Sequence, residues 1–355
     1  MSILSYKCPN CGGELVFEPD SGNYVCHFCR SVFTQQQLDE LTPKQGSEQQ
    51  IPAGETSESR DEPEGARAVI YNCPSCGAQI VTDETTAATF CYYCHNPVVL
   101  EGRVSGEFLP DKIIPFKIGR ESAVKKFLEY VSKKKFIPRA FFNEEQIEKM
   151  TGVYYPYWVY DSSMDSHIDG TATSIRVWRV GDTEYTETSR YEVSRGGRIN
   201  MDSITRNALR KTDRQLVENV QPFDLSETEK FSMGYLSGFV AEKRDMEQAE
   251  FSDSLHDETR KYASSLLKET ISGYGTVHVD HEDNKMLKEQ FSYVLLPVWV
   301  LTYKSKAGKI FYYAMNGQTG QIYGELPIDG KKVGILSFIV FMIVTAAAMF
   351  FGYQM

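Results

Sequence analysis

No cysteine occurs after residue 94 of the 355 in the chain. A thiol nucleophile is therefore excluded from most of it, and the eight cysteines present need one shared explanation near the N-terminus. Lysine and arginine are absent from residues 69–100, and residues 1–34 carry two bases against three acids. With a formal net charge of −10, this argues against a surface built to hold nucleic-acid phosphates, which draws its affinity from basic side chains. The chain has no Gly-x-x-x-x-Gly-Lys-Ser/Thr loop, which removes a phosphate cradle for ATP. It has no His-Glu-x-x-His either: His278 and His281 flank Asp280 without that motif. The stretch GYLSG, residues 234–238, puts Ser237 one place away from a nucleophile elbow. Asp161, Asp165, His167, Asp169 and Gly170 suggest a calcium loop, but Arg176 stands where a bidentate glutamate is required. No catalytic residue, small-molecule substrate or enzymatic activity is expected. A charged segment followed by an apolar run is missing at the N-terminus, so no secretory signal is expected and the cysteines should meet a reducing compartment.

What is present begins with SYKCPNCGGELVF, echoed 65 residues later by IYNCPSCGAQIVT. Cys8 and Cys11 are followed after fourteen residues by Cys26 and Cys29, and Cys73 and Cys76 after fourteen by Cys91 and Cys94. A Cys-x-x-Cys turn presents two thiolates on one side of a knuckle, and a hairpin of this length brings a second knuckle opposite, closing a tetrahedral site. All eight cysteines are thus assigned to two structural Zn²⁺ ions, one in each of two zinc ribbons over residues 1–34 and 69–100. Gly12 and Gly77 permit the left-handed turn in the first knuckles. The second knuckles, CHFCR and CYYCH, lack that glycine and predict a less ideal turn. His27 and His95 are bystanders beside four thiolates.

Residues 35–68 have no aromatic, six glutamines and eight acids against three bases. This composition cannot bury a core and predicts a disordered acidic linker, leaving the first ribbon tethered. At the other end, Val333 to Tyr353 is a run of twenty-one residues without a charge, which as a helix would reach about 31 Å, one hydrocarbon core. Residues 331–355 are therefore expected to be a transmembrane anchor, with Lys331 and Lys332 keeping the N-terminal bulk in the cytoplasm of a single-pass cell-membrane protein. The intervening 101–330 module reads as antiparallel α+β. ESAVKKFLEYVSKKK puts Val124, Phe127, Leu128 and Val131 on one helical face, and its bases read as a solvated surface, with contact to the anionic inner leaflet as the alternative. VYYPYWVYD at 153–161 returns as VLLPVWVLT at 294–302, an internal echo that suggests a diverged duplication with each copy at a sheet border. Hairpin turns are expected at Gly181-Asp182, at Ala307-Gly308 and from Asn316 to Gly320, and a helix over 246–270. The fold class expected is α+β: two zinc ribbons, an antiparallel-sheet module with an internal duplication, and one C-terminal transmembrane helix.

The CPNCGG and CPSCGA ribbons, YYPYWVYD, YLSGF, LLPVWVLTY, AMNGQTGQIYGELP and the apolar terminus together resemble the YdjG-type double zinc-ribbon membrane proteins of bacteria, with TFIIB-type ribbons. The resemblance covers nearly the whole chain and carries the zinc positions onto the eight cysteines above. It implies residence in the bacterial membrane, neighbours of the phage-shock-protein-A (PspA) family and the SPFH family, and a part in an envelope-stress assembly. The expected function is a membrane-anchored, non-enzymatic adaptor that recruits protein partners, a second docking site on a tether raising effective concentration. The alternative is a nucleic-acid-binding ribbon protein held at the membrane.

Overall fold

A computed structural model describes residues 3–4, 7–41, 68–73, 79–83, 85–91, 97–100, 103–104, 106–210, 218–305 and 309–353. The chain forms two compact units, one of 1–156, 209–244 and 295–355, the other of 157–208 and 245–294. Both changes of unit at the Pro-x-Trp motifs fall inside strands, Thr151–Val180 and Thr276–Lys304.

In the first unit Ile3–Leu4, Pro97–Leu100, Thr86–Phe90, Val240–Glu242 and the start of Thr151–Val180 are neighbours in that order in one sheet. The end of Thr276–Lys304 pairs with Ile310–Asn316, which pairs with Ile322–Gly324. The helix Arg120–Ser132 buries Ala123, Phe127 and Val131. Leu128 is left exposed, so the apolar stripe lies one position from the face the sequence suggests. Phe116 is the centre of an aromatic cluster: it stacks on Phe239 at 4.3 Å and meets Tyr154 and Trp299 edge-on at 5.0 and 5.1 Å. Gly317 is required there, because a Cβ would lie 2.5 Å from the Phe116 ring.

The second unit is a long hairpin, Thr151–Val180 turning at Gly181 (φ 62°) into Thr183–Asn207. The helix Ala249–Glu269 lies on it. Phe251, Leu255, Thr259, Ala263 and Leu267 recur on its buried face at helical spacing, and Leu267 packs with Ile168, Ala172 and Val193. Outside that face, His256 Nε2 meets Glu289 Oε2 at 2.6 Å and Arg206 pairs with Glu258.

The two units share one local design. In the second, Trp158 Nε1 donates to Met246 O at 3.0 Å, and the amides of Asp245 and Met246 donate to Ala208 O at 3.0 and 3.2 Å. In the first, Trp299 Nε1 donates to Ile118 O at 2.9 Å, and the amides of Lys117 and Ile118 donate to Gly317 O at 3.0 Å each. The register matches as well: Tyr157 faces Asn207 and Val298 faces Asn316, each one residue after its proline. Along the chain the order is helix 120–132, strand 151–180, helix 249–269, strand 276–304. Each Pro-x-Trp strand therefore works with the helix of the other repeat, which is why both units are discontinuous. The strands sit inside the sheet rather than at its border; each proline stands just before the antiparallel run that begins at Tyr157 or Val298.

Several expectations are corrected. The C-terminal helix runs Gly330–Tyr353, but among the described residues no helix is long and apolar enough to cross a membrane. The transmembrane anchor, the cell-membrane location and the fold class that included them are overturned. The described residues are sheet-rich, 44% strand against 27% helix, because segments read as short strands are three strands of 25 to 30 residues. The start of the expected linker is helical, Gln35–Leu41; residues 42–67 and the turn expected at Ala307-Gly308 lie outside the described residues.

Candidate metal centre

The first ribbon is a three-stranded sheet in which Leu15–Glu18 pairs with Asn23–Cys26, and that strand with Val32–Phe33. It forms two knuckles of matching backbone. The Cys8 amide donates to Gly13 O at 2.5 Å and the Cys26 amide to Ser31 O at 2.9 Å. Gly12 N bonds Cys8 O and Arg30 N bonds Cys26 O, both at 2.8 Å. Gly12 has φ 71° and Arg30 has φ 60°. The second knuckle thus makes the same turn without glycine, with an arginine in the left-handed region that costs a side chain about 1–2 kcal/mol. Arg30→Gly removes that strain but loosens the unfolded chain, which offsets about 0.5–1 kcal/mol. We expect a net gain of about 0.5–1 kcal/mol in ribbon stability, read as a higher chelator concentration at half-release of zinc.

The four sulfurs of Cys8, Cys11, Cys26 and Cys29 all lie within 4.8 Å of one another. Cys8 and Cys29 sulfurs are 3.5 Å apart, as are those of Cys11 and Cys26, close to the ~3.8 Å edge of a tetrahedron with 2.3 Å Zn–S bonds. Cys8 and Cys26 are buried, Cys11 and Cys29 exposed. Ser31, through hydroxyl and amide, holds the Cys29 thiol down to about 6. The Gly13 amide also lowers its neighbour Cys11, yet the adjoining sulfurs, Cys29 first, push that thiol up to about 12. Four sulfurs this close resist joint ionisation unless a cation sits among them. Gly13 is part of the cage, since a Cβ there would press on Phe28 at 2.9 Å and on the Cys11 and Cys26 sulfurs at 3.3 Å. The residues fit Zn²⁺, and four thiolates would fill its tetrahedral sphere.

This ribbon is built onto the 232–239 segment of the same unit, a correction to its reading as a tethered module. Ser237 Oγ donates to Leu15 O at 2.6 Å and Phe17 N donates to Ser237 O at 3.1 Å. The Phe17 ring meets Tyr235 edge-on at 5.2 Å. Gly234 and Gly238 are the points of closest approach: a Cβ would lie 2.6 Å from Tyr24 Oη and 2.4 Å from Val16 Cγ1. GYLSG is therefore the platform of the ribbon, and Ser237 is sequestered rather than nucleophilic. The two glycines around a serine were the only sequence signal for it. On the ribbon's opposite turn, Asp20 Oδ1 accepts from Gly119 N at 3.0 Å, placing an anion at the start of helix Arg120–Ser132.

In the segment expected to be a second ribbon Ala68–Asn72 pairs with Gln79–Asp83, and the hairpin of Thr86–Phe90 with Pro97–Leu100 belongs to the large sheet. Cys73 and Cys91 are buried together with Tyr71, Val98 and Leu100. Cys76 and Cys94, like Gly77 and His95, lie outside the described residues.

The remaining polar candidates are exposed strand positions of the second unit. Asp161 Oδ1 accepts from Ser203 N at 2.7 Å, capping a bulge. Asp169 and Ser194 both contact His167 Nε2, at 3.1 and 3.2 Å; a relay would need them on opposite ring nitrogens. The Ser194 hydroxyl, then the His167 and His281 charges, lower the Asp169 carboxyl. His278 pairs with Asp280 at 3.6 Å, and Thr171 donates to Asp280 at 3.3 Å.

Comparison with known proteins gives two findings. Residues 6–45 match the family described as TFIIB zinc-binding. The chain is 32% identical over 332 residues to the uncharacterized protein YdjG of Bacillus subtilis (strain 168), covering 93% of this chain and 92% of that one. No solved structure matches it.

Proposed function

Starting from the chain's membership of the same family as YdjG, we propose that it is a non-enzymatic adaptor that recruits protein partners through its zinc ribbons and the sheet-rich module built around them. The observation that carries this is the second knuckle of the first ribbon. Its metal cage offers four sulfurs and so leaves no ligand place for a substrate, while Phe28, at its tip, is 83% exposed beside exposed Val32. A large ring lifted clear of the core at a rigid turn suits a protein contact. The ribbon carries only Lys7 and Arg30 as bases, too few for a phosphate-binding face. A second Zn²⁺ held by Cys73, Cys76, Cys91 and Cys94 is part of the proposal, as are PspA-family and SPFH-domain proteins as the partners to assay first.

The test titrates a purified PspA-family or SPFH-domain protein against the full-length chain and its Phe28→Asp variant. Phe28→Asp should weaken binding at least tenfold at unchanged zinc content. In a parallel titration, salt-sensitive binding of oligonucleotides tighter than that of either protein would replace this reading with the nucleic-acid one.

A further inference from the structure

We propose that the chain self-associates by antiparallel pairing of the Thr183–Asn207 edge with the same strand of a second copy, about a two-fold axis at Tyr191. Among the described residues this strand pairs only with Thr151–Val180. It is 25 residues long, contains no proline or lysine, and its one register shift, at Asp202 and Ser203 (Ser203 φ 68°) opposite Asp161, lies beyond residue 199. Natural sheets shorten, kink or charge such edges to keep other strands off. This one is charged in a pattern that does the reverse.

Between 183 and 199 the charged residues are Glu184, Glu187, Arg190, Glu192, Arg195 and Arg198. In antiparallel self-pairing centred on Tyr191, each residue faces the one equally far on the other side of the axis. Glu184 then faces Arg198, Glu187 faces Arg195, and Arg190 faces Glu192. Every charge on the run meets its opposite, and two-fold symmetry makes each pair twice. Cross-strand pairs of opposite charge stabilise a sheet and like pairs destabilise it. The hairpin's own register accounts for only part of this pattern. Arg176 faces Glu187, Arg179 faces Glu184 and Asp165 faces Arg198, but Arg190, Glu192 and Arg195 face Thr173, Thr171 and Ile168. Shape agrees with charge: the same register sets Tyr185 against Gly197, around whose missing Cβ there is nothing within 4 Å, and an aromatic ring over a glycine is a recurrent way to complete an edge. Most of the run is exposed on both faces.

Sedimentation of the full-length protein tests this, in mild detergent to cover the exposed apolar side chains of Gly330–Tyr353. The expected result is a dimer at micromolar concentration. Glu192→Arg, which sets an arginine against Arg190 of the second copy on each side of the axis, should weaken it at least tenfold. Arg190→Glu combined with Glu192→Arg should restore it, which simple damage to the strand would not allow. Amide exchange should slow over 183–199 in the wild type and the double variant alone. A monomeric wild type, or a dimer indifferent to Glu192→Arg, overturns the proposal.

Discussion

Cys26→Ser is expected to remove one zinc ion per chain and to unfold the first ribbon while the rest of the protein stays folded. Cys26 is fully buried and ends the strand that faces Leu15, so its loss removes a ligand that no exposed group can replace. Structural zinc contributes an apparent ~10–16 kcal/mol to small zinc peptides, and about thirty residues cannot bury enough apolar surface to fold without it. Here Leu15, Phe17 and Tyr24 are also buried, each worth about 1.5–3 kcal/mol, so the platform retains part of the fold's support. We therefore expect zinc affinity to fall by at least about a thousandfold, roughly 4 kcal/mol. Metal analysis should show the lost ion, and amide exchange should quicken over residues 15–26. Cys11→Ser, at an exposed corner of the cage, should be milder. The pH dependence has a fixed sign: the metal-bound cage holds fewer protons than the metal-free one, so affinity falls as pH falls. Cys29, held down at about 6 by Ser31, is a thiolate at neutral pH and takes a proton only in acid. Cys11, pushed up to about 12, must lose one to bind metal. Zinc release should therefore steepen below pH 6.

The first cage was legible because its chemistry is local. Two Cys-x-x-Cys pairs a hairpin apart can close on little else, and all four sulfurs do converge. The identity of the left-handed residue in the second knuckle was not legible, since Arg30 takes φ 60° against the ordinary preference of its backbone and is held there by the matching Cys26 and Ser31 bonds. The docking of the ribbon also escaped, because contacts such as Ser237 to Leu15 span more than two hundred residues and leave no periodicity. Strand existence was readable from alternation, whereas strand length was not: Thr151–Val180 runs through a polar DSSMDSHIDG stretch whose acids look like a loop and are exposed rungs of a hairpin. The repeated Pro-x-Trp motifs were visible as an echo, but the exchange of helices between repeats follows from pairing alone.

The NGQTG motif leads to the second large effect. Asn316→Ala is expected to destabilise the protein by about 4 kcal/mol, above the 0.5–3 kcal/mol of most single substitutions. Asn316 is completely buried. Its Nδ2 donates to Val220 O and Pro222 O at 3.0 and 3.1 Å, and its Oδ1 accepts from the amides of Gln318 and Thr319 at 2.9 Å each. One side chain therefore satisfies two carbonyls and two N–H groups of separate segments, and each group left unpaired costs about 1–3 kcal/mol before relaxation. Gln318 extends the tie, its Nε2 reaching Asp224 O at 3.0 Å and Glu227 Oε2 at 2.5 Å, while Lys117 meets the other Glu227 oxygen at 2.6 Å. Asn316→Asp separates this account from simple loss of packing. The carboxylate still accepts from the two amides but is set against the two carbonyls, which raises its folded pKa above the ~3.9 of an unfolded aspartate. Its penalty is then absent below that value and grows as pH rises toward the folded pKa. In denaturant titrations Asn316→Asp should be more stable at pH 5 than at pH 7 relative to the wild type, and Asn316→Ala should show no such recovery. Equal losses at both pH values would mean that the side chain's hydrogen bonds do not hold the motif together.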